Sequence, residues 1–346
     1  MSIADKFQLR HTLLLGAAAC AVIFVSSIFI GTETLDLGKA WHELSSGTPL
    51  NEAPTLSVLL RHRIPRTLAA FIAGAGLALA GCAFQALLRN PLATPYTLGV
   101  ASAGALGAWV AFLLADITAT IPLLNLLTSK QVMAFLFASA DVYIVYLLAA
   151  RRIHTSPAVL LLAGVTLGML ANAGIMFSRY IARPDRLVNM DRWLMGGVDV
   201  LGYRPVLVLA AGVIPCAIVL LLQAARYDQF AFGTTMAAGR GVNIARLQIT
   251  TFLVGSLITA IIVSEVGPIG FVGLIIPHAV RLATGPQHRI VMPVSIVAGG
   301  AFLCACDIVA RRILPGETPI GIITTMIGGP VFLYLLVKRK FSDWQM

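Results

Sequence analysis

The sequence predicts an all-α polytopic membrane protein, about ten transmembrane helices forming a single permease-like domain over residues 1–346. Three observations predict it. Hydrophobic residues make up 58% of the chain and charged residues 12%, with a mean hydropathy of +0.88, whereas a soluble domain carries about 25% charged residues. The apolar stretches have the length that a hydrocarbon core demands, about 20 residues per crossing. They are also continuous rather than alternating, which excludes a transmembrane β-barrel.

The segments follow in order. The first, 12–30, comes after Lys6 and Arg10 and contains AAAC at 17–20, features of an export leader. Its apolar run is unbroken from Leu13 to Ile30, too long for a leader core, so it is read as the first span. The second, 64–88, is entered through Arg63-Ile64-Pro65-Arg66 and carries AGAGLALAG at 73–81; the third, 96–115, carries GVASAGALG at 99–107. Small residues at four-residue spacing let helix backbones approach closely where apolar side chains gain nothing over lipid. The fourth and fifth, 131–150 and 157–178, are separated by Arg151 and Arg152. The sixth, 205–223, leads into a connection, 224–246, containing FGTTMAAGRGVN at 232–243. Gly233, Gly239 and Gly241 there permit turns and close backbone approach, while Ala237 and Ala238 favour helix. The seventh and eighth, 247–264 and 269–283, are divided only by Gly267 and Pro268, and the eighth is short for a crossing, so nine or eleven spans remain open alternatives. Spans nine and ten fall at 290–310 and 318–337.

Charge and chemistry narrow the function. The net charge is +10, but no basic stripe with interleaved aromatics occurs, which argues against nucleic acid. The five cysteines all lie inside apolar runs and read as small hydrophobes. An even span count puts both termini on one side and divides the 25 basic residues almost evenly. The clusters Arg151–Arg152 and Lys338–Lys340 at span ends favour that side as cytoplasmic. None of the five lysines sits in a G-x-x-x-x-G-K-[ST] loop, and no HExxH or GxSxG occurs, so no P-loop or hydrolase signature is present. Asp141, Glu265 and Asp307 are read as lying at or near span ends, which counts against an ion-coupled carrier. Such a carrier, or a channel acting without an ATPase, is the rival reading; a polytopic membrane enzyme is weaker.

An ordered set of stretches resembles the FecCD-type permeases, the membrane subunits of type II ABC importers for ferric siderophores, haem and cobalamin. The set comprises RIPRTLAAFIAGAGLALAGCAFQALLRNPLATPYTLGV (63–100), LLAGVTLGML (161–170), WLMGG (193–197), GPIGFVGLIIPHAVRL (267–282), DIVAR (307–311) and TPIGIITTMIGGPVFLYLL (318–336). The resemblance implies ten helices per subunit, a homodimer in the bacterial inner membrane, and both termini cytoplasmic. It implies two ATPase partners that use ATP and Mg, a periplasmic binding protein, and no cofactor or metal held by this chain. The imported chelate is expected to be an iron(III)-siderophore first, then haem or cobalamin.

The resemblance also implies roles. In the coupling segment 224–246, Gly233, Thr234, Ala237, Gly239, Arg240 and Gly241 fall in two short helices that seat in the ATPase. The family's Gly-Glu-Glu is here Gly233-Thr234-Thr235, and Arg240 replaces a leucine. Arg63, Arg66 and Arg311 match positions that receive carboxylates of the binding protein. Asn90, Leu92, Thr155 and Ser156 match the inner gate, Met169, Asn172 and Met176 of span five would line the pathway, and 180–204 holds the outer gate helix.

Overall fold

The computed structural model describes residues 3–31, 35–50, 52–118, 121–150, 157–313 and 318–338, and the described residues contain helices and no strand. The first membrane helix, α1 (Ile3–Phe29), leads through the short helices α2 (Leu37–Ser45) and α3 (Pro54–Val58) and a π-helical turn, Leu59–Arg63, into α4 (Ile64–Leu88). Then come α5 (Val100–Thr118), α6 (Pro122–Leu127), α7 (Lys130–Ala150), α8 (Pro157–Ile181), α9 (Pro184–Leu194) and α10 (Arg204–Leu221). Two short helices, α11 (Ala224–Ala231) and α12 (Thr234–Gly239), precede α13 (Ile244–Val266), α14 (Val272–Thr284), α15 (His288–Ile313) and α16 (Ile320–Lys338). Among the described residues, six helical stretches are long and apolar enough to cross a membrane, and four shorter apolar helices lie at Leu13–Phe29, Val100–Ala115, Val272–Thr284 and Ile320–Tyr334. These coincide with the ten segments read from hydropathy.

Burial ranks the helices. The most apolar part of Pro54–Leu88, the stretch that includes α4, is 83% buried, whereas those of α8 and α10 are 22% buried, so α4 lies at the centre of the bundle and the other two are peripheral. The small residues of α4 explain how it is surrounded. A Cβ at Gly74 would overlap the Gly299 carbonyl of α15, and one at Gly81 would overlap Gly273 of α14. Backbones therefore touch directly, the close-packing solution available to helices in lipid.

One sequence reading holds and one changes. The eighth span, expected to be short, is α14, of 13 residues, about 20 Å at 1.5 Å per residue and short of a full crossing. It is set off from α13 by Gly267 (φ 71) and Phe271 (φ 68), a break that relieves neither helix of its partners in the core. Asp141 is not at a span end: it lies midway along α7, 5% exposed, and its Oδ2 meets no hydrogen-bond partner.

Candidate functional site

At one end of the bundle stands the elbow formed by α11 and α12. Helix α11 buries Ala224, Tyr227 and Phe230, a three-residue spacing that lays one face against the bundle. The Tyr227 hydroxyl is 2.7 Å from Thr251 Oγ1 of α13. The Arg89 guanidinium donates to the Phe230 carbonyl at 2.6 Å and stacks 4.4 Å from the Phe230 ring centroid. Asp228 Oδ1 accepts the His288 backbone N–H at 2.6 Å and lies 3.0 Å from His288 Nδ1. Partial burial pushes the Asp228 carboxyl up, but hydrogen bonds from the His288 side chain and backbone outweigh it and hold the group below its ordinary value.

Helix α12 is the opposite in character. Only Ala237 is buried; Thr234, Thr235, Met236, Gly239 and Arg240 are exposed. Gly233 (φ 118) makes the turn between the two helices and Gly241 (φ 82) the turn out, where a side chain would be strained. Gly239 makes no turn. It closes α12 in helical conformation, and a Cβ there would meet nothing within 4 Å, so the freedom that glycine permits is used at Gly233 and Gly241 but not here. Arg240 stacks at 5.7 Å over Phe232, itself 70% exposed. The elbow is thus a small exposed knob on a firmly held base.

The opposite end of the bundle holds the arginines. Asp307, fully buried, binds Arg66 Nη2 at 2.9 Å and Arg311 Nη2 at 2.6 Å. Arg311 Nη2 also donates to Ser27 O and Ser27 Oγ, both at 3.0 Å, and Arg63 Nη1 donates to Phe29 O. The three arginines matched through the resemblance lie at this one end, beside the C-terminus of α1 and Asp307. Arg63 and Arg311, however, are 6% and 4% exposed and turned inward. The reason is the C-terminus of α1, whose last carbonyls lack intrahelical donors and attract cations. Arg66 alone of the three reaches a cavity of about 340 Å³, shared with Lys130, Arg192, Trp193, Asp199 and Glu265. Helix α9 borders it. Gly197 N–H donates to Val266 O at 2.9 Å, Gly321 N–H to Gly196 O at 3.1 Å, and Arg179 pairs with Asp191 at 2.9 Å, so α9 is tied to α13, α16 and α8.

Between the ends, Met169, Asn172 and Met176 occupy one exposed face of α8. Asn90 follows the left-handed C-cap Arg89 (φ 45), and its Oδ1 accepts the Leu92 N–H at 2.9 Å. Leu92 borders an apolar cavity of about 190 Å³ with Leu77 and Phe271. Thr155 and Ser156 lie outside the described residues. Sequence reading missed the contacts of Asp228 with His288 and of Arg89 with Phe230, which no local pattern signals even though Arg89 lies within the quoted stretch 63–100. Asp307 could have been found from its i, i+4 spacing to Arg311.

The FecCD transport family profile matches residues 19–338. The chain belongs to the FecCD transport family. Curated relatives match most of its length: the hemin transport system permease of Yersinia pestis is 32% identical over 92% of this chain and 93% of its own. The cobalamin import system permease of Halobacterium salinarum is 39% identical over 80% of this chain and 73% of its own. A solved transporter described as of metal-chelate ABC type, in an inward-facing conformation, superposes with a TM-score of 0.81 at 28% identity, covering 94% of this chain and 99% of that one. The chain is accordingly a polytopic membrane permease subunit of ABC transporter type.

Proposed function

We propose that this permease works as a homodimer with two ATPase subunits and a periplasmic binding protein to import a bulky metal chelate by alternating access. The observation that carries the reading is the α11–α12 elbow, an exposed two-helix knob on a rigid base, in a chain of this family. The elbow and both termini face the cytoplasm, and the arginine end faces the periplasm. Gly233 and Gly241 shape the knob, while Thr234, Ala237, Gly239 and Arg240 form its ATPase-facing surface or its packing, ATP and Mg being handled by the partner.

At the other end Arg66, the member that reaches the cavity, receives a carboxylate of the binding protein. Arg63 and Arg311 hold α1 and α15 in place beside it and would join the docking surface only on rearrangement. Asn172 supports the pathway assignment with Met169 and Met176: an exposed amide near mid-span suits a water-lined surface better than lipid. Asn90 and Leu92, with Thr155 and Ser156, form the inner gate. The relatives' names divide between hemin and cobalamin, and an iron(III)-siderophore belongs to the same class of bulky, multidentate chelates. Identifying the ligand carried by the cognate binding protein selects among them.

In proteoliposomes, uptake should require the ATPase and cease without ATP. Uptake driven by an ion gradient with no ATPase present overturns the reading. One observation favours that alternative, the buried Asp141 carboxyl midway along α7, and the same assay decides it.

A further inference from the structure

Two features of the molecule are not explained by a knob that merely touches an ATPase. The first is where α11 is fastened. It follows α10 in the chain, yet its polar fastenings run elsewhere: Asp228 to His288 at the start of α15, Phe230 O to Arg89 at the end of α4, Tyr227 to Thr251 of α13. The second is the character of the Asp228 bond. Its carboxylate accepts the backbone N–H of His288, an amide that opens α15 and has no partner within its own helix. An aspartate 60 residues away in sequence thus caps α15, with the favourable charge for a helix N-terminus.

Helices α4 and α15 then continue as one body. Gly74 and Gly299 bring their backbones into contact midway, and Arg66 of α4 and Arg311 of α15 share Asp307 at the far end. His288 and Asp307 are separated by about 28 Å along α15, at 1.5 Å per residue. A pair of helices braced at both ends and in the middle transmits a push with little bending.

We propose that Asp228 is a positioning residue, with Arg89 as its second anchor, that locks the coupling elbow to the α4–α15 pair. Movement of the elbow is thereby delivered to the Asp307 cluster at the opposite face. This rests on the ATPase-coupling reading above. Asp228→Ala removes the cap. Asp228→Asn keeps a carbonyl oxygen to accept the His288 N–H, so it rescues if the cap is what matters.

The test uses the reconstituted full transporter and measures substrate translocated per ATP hydrolysed. It is paired with the distance between spin labels on Thr235 and Arg312, with and without nucleotide. In Asp228→Ala the yield per ATP falls about 5- to 150-fold, the range of ordinary site-to-site coupling, and the nucleotide-dependent distance change disappears. Asp228→Asn restores most of both. If Asp228→Ala does not assemble, Arg89→Met carries the same expectation through the Phe230 carbonyl. Wild-type yield and wild-type distance change in Asp228→Ala, or in Arg89→Met where that variant is used, overturn the proposal. Equal loss in Asp228→Asn and Asp228→Ala overturns the capping role. Failure of the wild type to need ATP sinks the coupling reading instead.

Discussion

Asp307→Ala should destabilise the permease more than other single polar substitutions in the bundle. Asp307 is fully buried between Arg66 and Arg311, whose side chains are 12% and 3% exposed. Arg66 borders the cavity and can turn toward water when its partner is removed, so most of the cost falls on Arg311. That guanidinium would keep its bonds to Ser27 O, Ser27 Oγ and Asp307 O but lose the Asp307 carboxylate. Removing one partner of a buried pair costs about 3–5 kcal/mol; the retained bonds place the expectation near the lower figure. About 3 kcal/mol is roughly a hundredfold in the unfolding equilibrium, at 1.4 kcal/mol per factor of ten.

Equilibrium unfolding in mixed micelles measures it. The companion variant, Asp307→Leu with Arg311→Met, removes both charges and should recover most of the loss, because a buried pair replaced by apolar groups is often neutral. A cost below about 1 kcal/mol, the value typical of exposed pairs, refutes the burial argument. So does a double variant no better than the single one.

Other outcomes follow from the same contacts. Gly81→Val should lower thermal stability by about 1–3 kcal/mol or more, since its Cβ would strike the Gly273 backbone; Gly16→Val, with nothing within 4 Å, serves as the neutral control in the same melt. Gly233→Ala should impair ATP-driven uptake because φ 118 strains an alanine. The Asp228 carboxyl is held below its ordinary value by His288. Its stabilisation is therefore present above the unfolded value of about 3.9 and lost only as pH falls through the lower folded value. The melting difference between wild type and Asp228→Asn should accordingly persist from neutral pH to about pH 5 and shrink only in stronger acid. Arg66→Gln should weaken binding-protein association, with the difference largest at low ionic strength, as read by surface-immobilised binding.

Much of this is legible in the sequence because hydropathy and backbone freedom are local. Helices α4, α7 and α15 begin and end within a few residues of the apolar runs that predict them, since each run must match one crossing whatever its neighbours. The turn at Gly233 is equally readable, a glycine in a connection being free to take a positive φ. Gly239 shows where that logic overreaches: composition permits a turn but does not require one, and Gly239 is still the last helical residue of α12. The apolar run 131–150 itself puts Asp141 at its midpoint; what hydropathy could not give was the burial of its carboxyl, which depends on the helices packed around α7.

By itself the sequence determined a ten-helix membrane bundle, its family and the location of a glycine-shaped elbow. Only the tertiary structure decided that Arg63 and Arg311 point inward, that Asp307 joins α4 to α15, and that Asp228 caps a helix from another part of the chain. These contacts link residues 34, 241, 284 and 60 positions apart. The physical reason is that crossing a bilayer is a demand on each segment alone. Satisfying a buried charge or an open helix end is a demand on whichever group packing brings within about 3 Å.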